Sequence, residues 1–138
     1  MRLVLDSNVI IAALAARGLC EALFEYCLEN HELFICVDMQ EEVRRKLIDK
    51  IRVPERIAHE ISAYLRLNMT LVTPAAIEPE ACRDKKDLMV LGTAASARAH
   101  YIITGDIDLL TLKRYRDVKI VDPRSFWNIA KKAGAEGR

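Results

Sequence analysis

Leu3-Val4-Leu5-Asp6-Ser7-Asn8-Val9-Ile10 is the stretch that decides the fold. Arg2–Leu5 is a short apolar run of β type that stops at an acid, and Ser7 to Ala16 turns helical, rich in Ala and Leu. A wholly apolar strand is one buried on both faces, which is the habit of parallel sheets. The pattern returns a hundred residues on, where Tyr101-Ile102-Ile103 runs into Thr104-Gly105-Asp106-Ile107-Asp108 and then a short helix from Leu109 to Lys113. Between them, Leu19, Leu23, Tyr26 and Cys27 repeat at helical spacing as far as Glu29, and Leu33 to Val37 is a second buried strand. Asp38 with Glu41 three residues later predicts a capping box opening a helix to about Lys50. Pro54 opens another, to about Leu67, and Thr70 to Val72 is a short strand. Pro74 and Pro79 mark the one long polar connection, and Asp87 to Arg98 is a helix apolar almost all round, hence buried. Val118 to Val121 is the last strand, and a helix started by Pro123 runs to about Lys132. Short apolar strands alternating with helices predict one α/β domain over residues 1–132, with a frayed tail over 133–138.

Composition bounds what such a domain does. The 138 residues are 51% hydrophobic and 30% charged, which excludes a disordered chain. Lys and Arg number 21 against 20 Asp and Glu, a formal net charge of +1 that excludes a polybasic binder. Aromatics are 6%, too few for a platform that stacks bare bases. The four cysteines, at 20, 27, 36 and 82, form no Cys-x-x-Cys pair, which excludes a zinc ribbon. No apolar run reaches the roughly 20 residues of a membrane span. The expectation is a soluble, cytoplasmic protein with no membrane partner.

In open α/β sheets, ligands bind beyond the carboxyl ends of the strands. Here those ends carry Asp6-Ser7-Asn8 and Thr104-Gly105-Asp106-Ile107-Asp108. Glu41 and Glu42 lie in the first turn after the second strand, and Asp84-Lys85-Lys86-Asp87 opens the helix before the fourth. All of these fall on one rim. Gathered carboxylates repel one another, and some must protonate unless a cation joins them. Oxygen ligands without nearby His or Cys select hard ions such as Mg²⁺ or Mn²⁺. Such ions acidify water and clamp the oxygens of a phosphodiester, so the rim predicts metal-dependent phosphoryl transfer or phosphodiester hydrolysis. Each acid alone has a plainer reading. Asp6, Asp84 and Asp106 serve equally as helix caps, and Glu42 and Asp108 as solvated residues.

These motifs resemble the PIN-domain family of nucleases. The resemblance rests on Leu3 to Ile10, on Glu41-Glu42-Val43-Arg44-Arg45-Lys46-Leu47, on Arg83 to Asp87 with the apolar helix that follows, and on Ala99 to Leu110. Val118 to Phe126 also fits, so nearly the whole chain is covered. The resemblance implies a three-layer α/β/α fold with a five-stranded parallel sheet. It implies Mg²⁺ or Mn²⁺ held by Asp6, Glu42, Asp87 and Asp106, with Asn8, Asp84, Thr104 and Asp108 in support. It further implies a metal-dependent endoribonuclease acting on RNA through two ions, a protein antitoxin as partner, and a homodimer. Ser7 stands where Thr is commoner and Lys85 where Pro is frequent, which touches the nearby loop more than the acids.

Two other classes compete. A haloacid-dehalogenase-like phosphatase also has an Asp-ended first strand, but Asn8 replaces the second Asp of its Asp-x-Asp. A non-catalytic RNA- or partner-binding module would keep the acids as vestiges. Serines 7, 62, 96 and 125 lack a nucleophile elbow, and Ser7 reads better as a hydroxyl orienting metal-bound water. Arg44, Arg45, Lys46, Lys85, Lys86, Lys113 and Arg114 are the candidate cations for substrate phosphates, with Arg44, Arg45, Lys85 and Lys86 put first. Setting aside Asp6, Glu42, Asp87, Asp106 and Asp108 leaves fifteen acids against 21 basic residues. Near-neutrality then describes a mildly basic surface around an acidic pocket.

Overall fold

The computed structural model describes the backbone of residues 1–136 and the side chains of 1–133. Six strands form one sheet in the order β3-β2-β1-β4-β6-β5. They are β1 (Arg2–Leu5), β2 (Glu32–Ile35), β3 (Thr70–Leu71), β4 (Tyr101–Ile103), β5 (Arg114–Tyr115) and β6 (Val118–Val121). The five expected strands are all parallel, in the registers Val4↔Phe34, Val4↔Ile102 and Ile102↔Ile120 among others. The sixth, β5, was not foreseen. It pairs antiparallel to β6 through Tyr115↔Val118 and Arg114↔Lys119. A two-residue, largely exposed strand carries no apolar run, so sequence pattern has nothing to detect there.

The helices are α1 (Ser7–Ala15), α2 (Leu19–Asn30), α3 (Val37–Asp49), α4 (Glu55–Asn68), α5 (Lys85–Ala97), α6 (Ile107–Leu112) and α7 (Pro123–Glu136). The first two crossovers, β1 to β2 and β2 to β3, lead toward one edge of the sheet; the next, β3 to β4, jumps back past β1. Right-handed connections therefore put α1 to α4 on one face and α5 and α6 on the other, with α7 returning to pack on α2. This is the expected three-layer α/β/α class. Leu3, Leu5, Ile35, Ile102 and Ile103 fill the sheet's interior, met by Ile10, Leu23, Met39 and Leu47 from one layer and Leu91 from the other. Among the described residues no single helix is long and apolar enough to cross a membrane.

Local expectations shift at helix starts. The Asp38 capping box does not form: α3 starts at Val37 with Cys36 as N-cap, and Gln40 N–H reaches Cys36 O at 2.9–3.0 Å geometry typical of a helix, measured here at 3.0 Å. Asp38 is one residue inside the helix, too late to cap it. Asp84 does cap α5, accepting from Lys86 N–H at 3.0 Å, and so draws the helix start back to Lys85. The last helix continues past Lys132 to Glu136; the tail expected over 133–138 is helical in backbone that far, and residues 137 and 138 lie outside the described residues.

Helix α5 lies close against the Pro74–Ala75 segment, with Ala75 N–H donating to Gly92 O at 2.9 Å. A Cβ on Gly92 would stand 2.6 Å from Ala75 O and 3.1 Å from Pro74 Cβ. Gly92→Ala gains about 1 kcal/mol of helix propensity but meets an overpacking cost of about 1–3 kcal/mol. The expected net is a loss of about 1 kcal/mol, read as a Tm lower by about 2–4 °C in thermal unfolding. An unchanged or raised Tm would mean that this segment gives way freely.

Candidate metal centre

Strand order reverses between β1 and β4, so the crevice beyond their carboxyl ends is where a ligand would sit. Asp6 leaves β1 held by its own N–H, which donates to Ile103 O at 2.9 Å. Immediately after the last paired residue of β4, Thr104 is fully buried and joins the two sides: its hydroxyl donates to Asp6 Oδ2 at 2.7 Å and accepts Asp106 N–H at 3.0 Å. Asp106 N-caps α6, its Oδ1 accepting from Asp108 N–H at 2.8 Å and Leu109 N–H at 3.3 Å. The cap reading and the site reading of Asp106 therefore hold together, since capping uses one oxygen and leaves the other.

Asp87 comes from the opposite direction, in the first turn of α5, and is 5% exposed. Glu42 comes from α3. With Asn8 and Asp84 these acids line one pocket of about 180 Å³ that holds Asp6, Glu42, Asp87 and Asp106 together. Asp87, Asp106 and Asp108 each offer an oxygen within 4.8 Å of the others. Asp108 stands at the outer edge, paired with Arg83 at 3.0 Å.

The electrostatics are those of a pocket short of positive charge. Burial pushes the Asp87 carboxyl from its ordinary 3.8 to about 6, helped by the charges of Asp106, Asp84 and Asp6 and opposed by the Cys82 thiol, which donates to Asp87 Oδ2 at 3.6 Å. Burial also raises Asp6, with Glu42 and Asp106 adding to it, although the Thr104 hydroxyl and Asn8 N–H pull the other way. Glu42 differs. Burial would raise it, but the hydrogen bond and charge of Lys46, the Ser7 hydroxyl and the charge of Lys86 outweigh that and hold it below the usual range.

The strand-end acid, the α3 acid, the α5 acid and the Thr-Gly-Asp turn converge in the order in which the sequence supplies them. Residues 2–108 match the model of the PIN-domain family. The chain belongs to that family. Two solved structures share this PIN fold. VapBC2 from Rickettsia felis, bound to a DNA fragment from their promoter, superposes with a TM-score of 0.64 at 15% identity, over 88% of this chain and 98% of that one. VapBC-1 from nontypeable Haemophilus influenzae does so with a TM-score of 0.63 at 16% identity, over 90% and 99%. No curated protein matches the chain significantly by sequence.

PIN domains are nucleases that use divalent metal ions, and the donor set here fits one. The donors are all oxygens, and two of the carboxyls, Asp6 and Asp87, are buried and raised, a cost that a cation would remove. Other parts of this PIN domain fall outside the pocket. Arg44 turns away from it, pairing with Glu41 and lining the groove of about 440 Å³ between α3 and α4. Helical phase is the reason: Glu41 and Arg44 share one face of α3, Glu42 and Lys46 another. Arg45, Lys85 and Lys86 line a groove of about 340 Å³ that adjoins the acids at Glu42. Ser7, expected to orient water, is wholly buried; its hydroxyl reaches Met39 O at 3.4 Å and the Glu42 side chain. Arg83 was missed as part of the centre, and Lys46, a candidate cation for substrate phosphates, is bonded to Glu42 and Asn8 instead. Lys46 is spaced four residues from Glu42, which reads from sequence as an ordinary surface pair.

Proposed function

We propose that this PIN domain is a metal-dependent endoribonuclease and the toxin of a toxin–antitoxin pair. The observation that carries the catalytic reading is the gathering of Asp6, Asp87 and Asp106 where β1 and β4 separate, two of them buried with carboxyls raised by burial and by one another. A Mg²⁺ or Mn²⁺ ion bound there supplies charge to the scissile phosphodiester and acidifies water. The chain does the rest. Asp6, Asp87 and Asp106 would hold the ion, with Asp108 and Glu42 as the acids nearest to them. Thr104 and Asn8 fix Asp6 and the α3 side, and Asp84 fixes the start of α5. Arg45, Lys85 and Lys86 stand along the adjoining groove, where substrate phosphates would run on their way to the acids.

The fold shared with the two VapBC structures supports the toxin reading, with a protein antitoxin and a second copy of the chain as partners. The family assignment and the pocket leave the phosphatase reading without an observation of its own.

The test is cleavage of mixed-sequence single-stranded RNA and DNA by highly purified protein, in Mn²⁺ and in EDTA, with Asp6→Asn as control. The expected result is internal cleavage of RNA in Mn²⁺ alone, absent from the Asn variant. Equal cleavage by the variant would mean contamination, and cleavage of DNA alone would remove the ribonuclease reading. For the toxin assignment, induced expression should arrest growth, and Asp6→Asn should not.

A further inference from the structure

Two lysines, Lys46 and Lys86, line the acid pocket, and Lys46 is the one bonded to an acid there. Lys46, a turn beyond Glu42 on α3, places Nζ 2.8 Å from Glu42 Oε1 and 2.9 Å from Asn8 Oδ1. The Lys46 and Glu42 side chains are only 19% and 21% exposed, so this is no loose surface pair. It ties α3 to the start of α1, across 38 residues of sequence. The other end of the pocket is different. There Asp87, Asp106 and Asp108 bring three carboxylate oxygens within 4.8 Å of one another, the one such trio among the described residues.

The two ends thus differ in how their charge is answered. Glu42 has the Lys46 ammonium at 2.8 Å, whereas Asp87 and Asp106 have no ion-pair partner among the described residues and Asp108 has only the exposed Arg83. A divalent ion entering at Glu42 would have to displace an ammonium from two hydrogen bonds and then sit beside a like charge on a short tether. An ion entering at Asp87 meets three carboxylates, of which Asp108 alone carries a cation, the exposed Arg83 at 3.0 Å. Lys is suited to the first role, being a compact charge with three donors.

We infer that Lys46 takes the place of one divalent ion, so that the centre holds a single ion at the Asp87–Asp106 end and not two. This rests on the metal reading above and concerns the number and position of the ions. Glu42 then acts through Lys46, holding its ammonium between itself and Asn8, and is not itself a ligand.

The test counts Mn²⁺ bound per chain by calorimetry and by the electron paramagnetic resonance of the free ion. Wild type should bind one Mn²⁺. Lys46→Met should bind two, the second at least tenfold tighter than any second ion on wild type. Glu42→Gln should keep the single ion, whereas Asp87→Asn should lose it. Two ions on wild type, one ion on folded Lys46→Met, or loss of the ion from Glu42→Gln would each overturn the proposal. Should Lys46→Met fail to fold, Lys46→Gln, one atom shorter than lysine, keeps a hydrogen-bond donor without the charge and is read the same way. No Mn²⁺ on either wild type or the Lys46 variants would instead overturn the metal reading itself, and the proposal with it.

Discussion

Exchanging Asp87 for asparagine should abolish metal-dependent cleavage while making the metal-free protein more stable. Loss of a charged group from such a centre costs on the order of a thousandfold in rate. The stability gain has a separate origin. In the folded chain the Asp87 carboxyl titrates at about 6, against an ordinary 3.8, because burial and the neighbouring acids disfavour its charge. The folded state therefore holds a proton that the unfolded state releases between those values. The sign follows directly: stability falls as pH rises through this window, and the penalty is full above about 6 and absent below 3.8. Water in the open pocket screens the effect, leaving about 1 kcal/mol at neutral pH. Thermal unfolding in EDTA should show wild type gaining Tm as pH falls from 7.5 toward 5, and Asp87→Asn starting higher and gaining less. In excess Mn²⁺ the order should reverse, because an ion that binds only the folded state stabilises it and the variant holds none. A variant less stable than wild type in EDTA at pH 7.5 would mean that the Cys82 contact and packing around Asp87 outweigh repulsion.

Thr104→Val should be the most damaging change that leaves every acid in place. Valine keeps the shape but removes the hydroxyl that donates a hydrogen bond to Asp6 and accepts one from the Asp106 amide. Both groups are then left in the interior without that partner, at a cost of about 1–3 kcal/mol. The carboxylates also lose the strut that fixes their separation. Loss of such outer contacts typically costs about 10–100-fold in activity or metal affinity. Cleavage kinetics should show the loss mainly in kcat at saturating Mn²⁺, and Thr104→Ser should restore most of it. A valine variant with unchanged kcat would reduce Thr104 to a core residue.

The acids that sequence reveals best are those fixed by strand grammar. Asp6 and Asp106 each follow a buried apolar run, and a parallel sheet delivers both to one rim whatever the loops do. Asp87 is legible one step less directly, since α5 had to begin at Lys85, under the Asp84 cap, for its third residue to turn inward. Lys46 was legible as a cation near the rim but not as the partner of Glu42 and Asn8, because the inward turn of this part of α3 depends on how that helix packs against α1, a tertiary fact. Arg44 lies on the α4 side for the same reason, about 200° around the helix from Lys46. The Asp38 capping box failed because Cys36 is extended and its carbonyl already opens the helix. Strand β5 is held by a partner two residues away, and no apolar pattern announces it.

The bond from Thr104 to Asp6 spans 98 positions. Closing so large a loop is entropically costly and slow, and β1 cannot be flanked on both sides until β4 has been made and docked. A growing chain therefore carries Asp6 and Glu42 through more than half of its synthesis, and Asp87 for a shorter stretch, before β4 exists to complete the centre. Any proteolytic cut that frees β4 from β1 returns it to that condition. On the toxin reading proposed above, cleavage then waits for β4 to dock, and an antitoxin has that interval of translation in which to meet the chain.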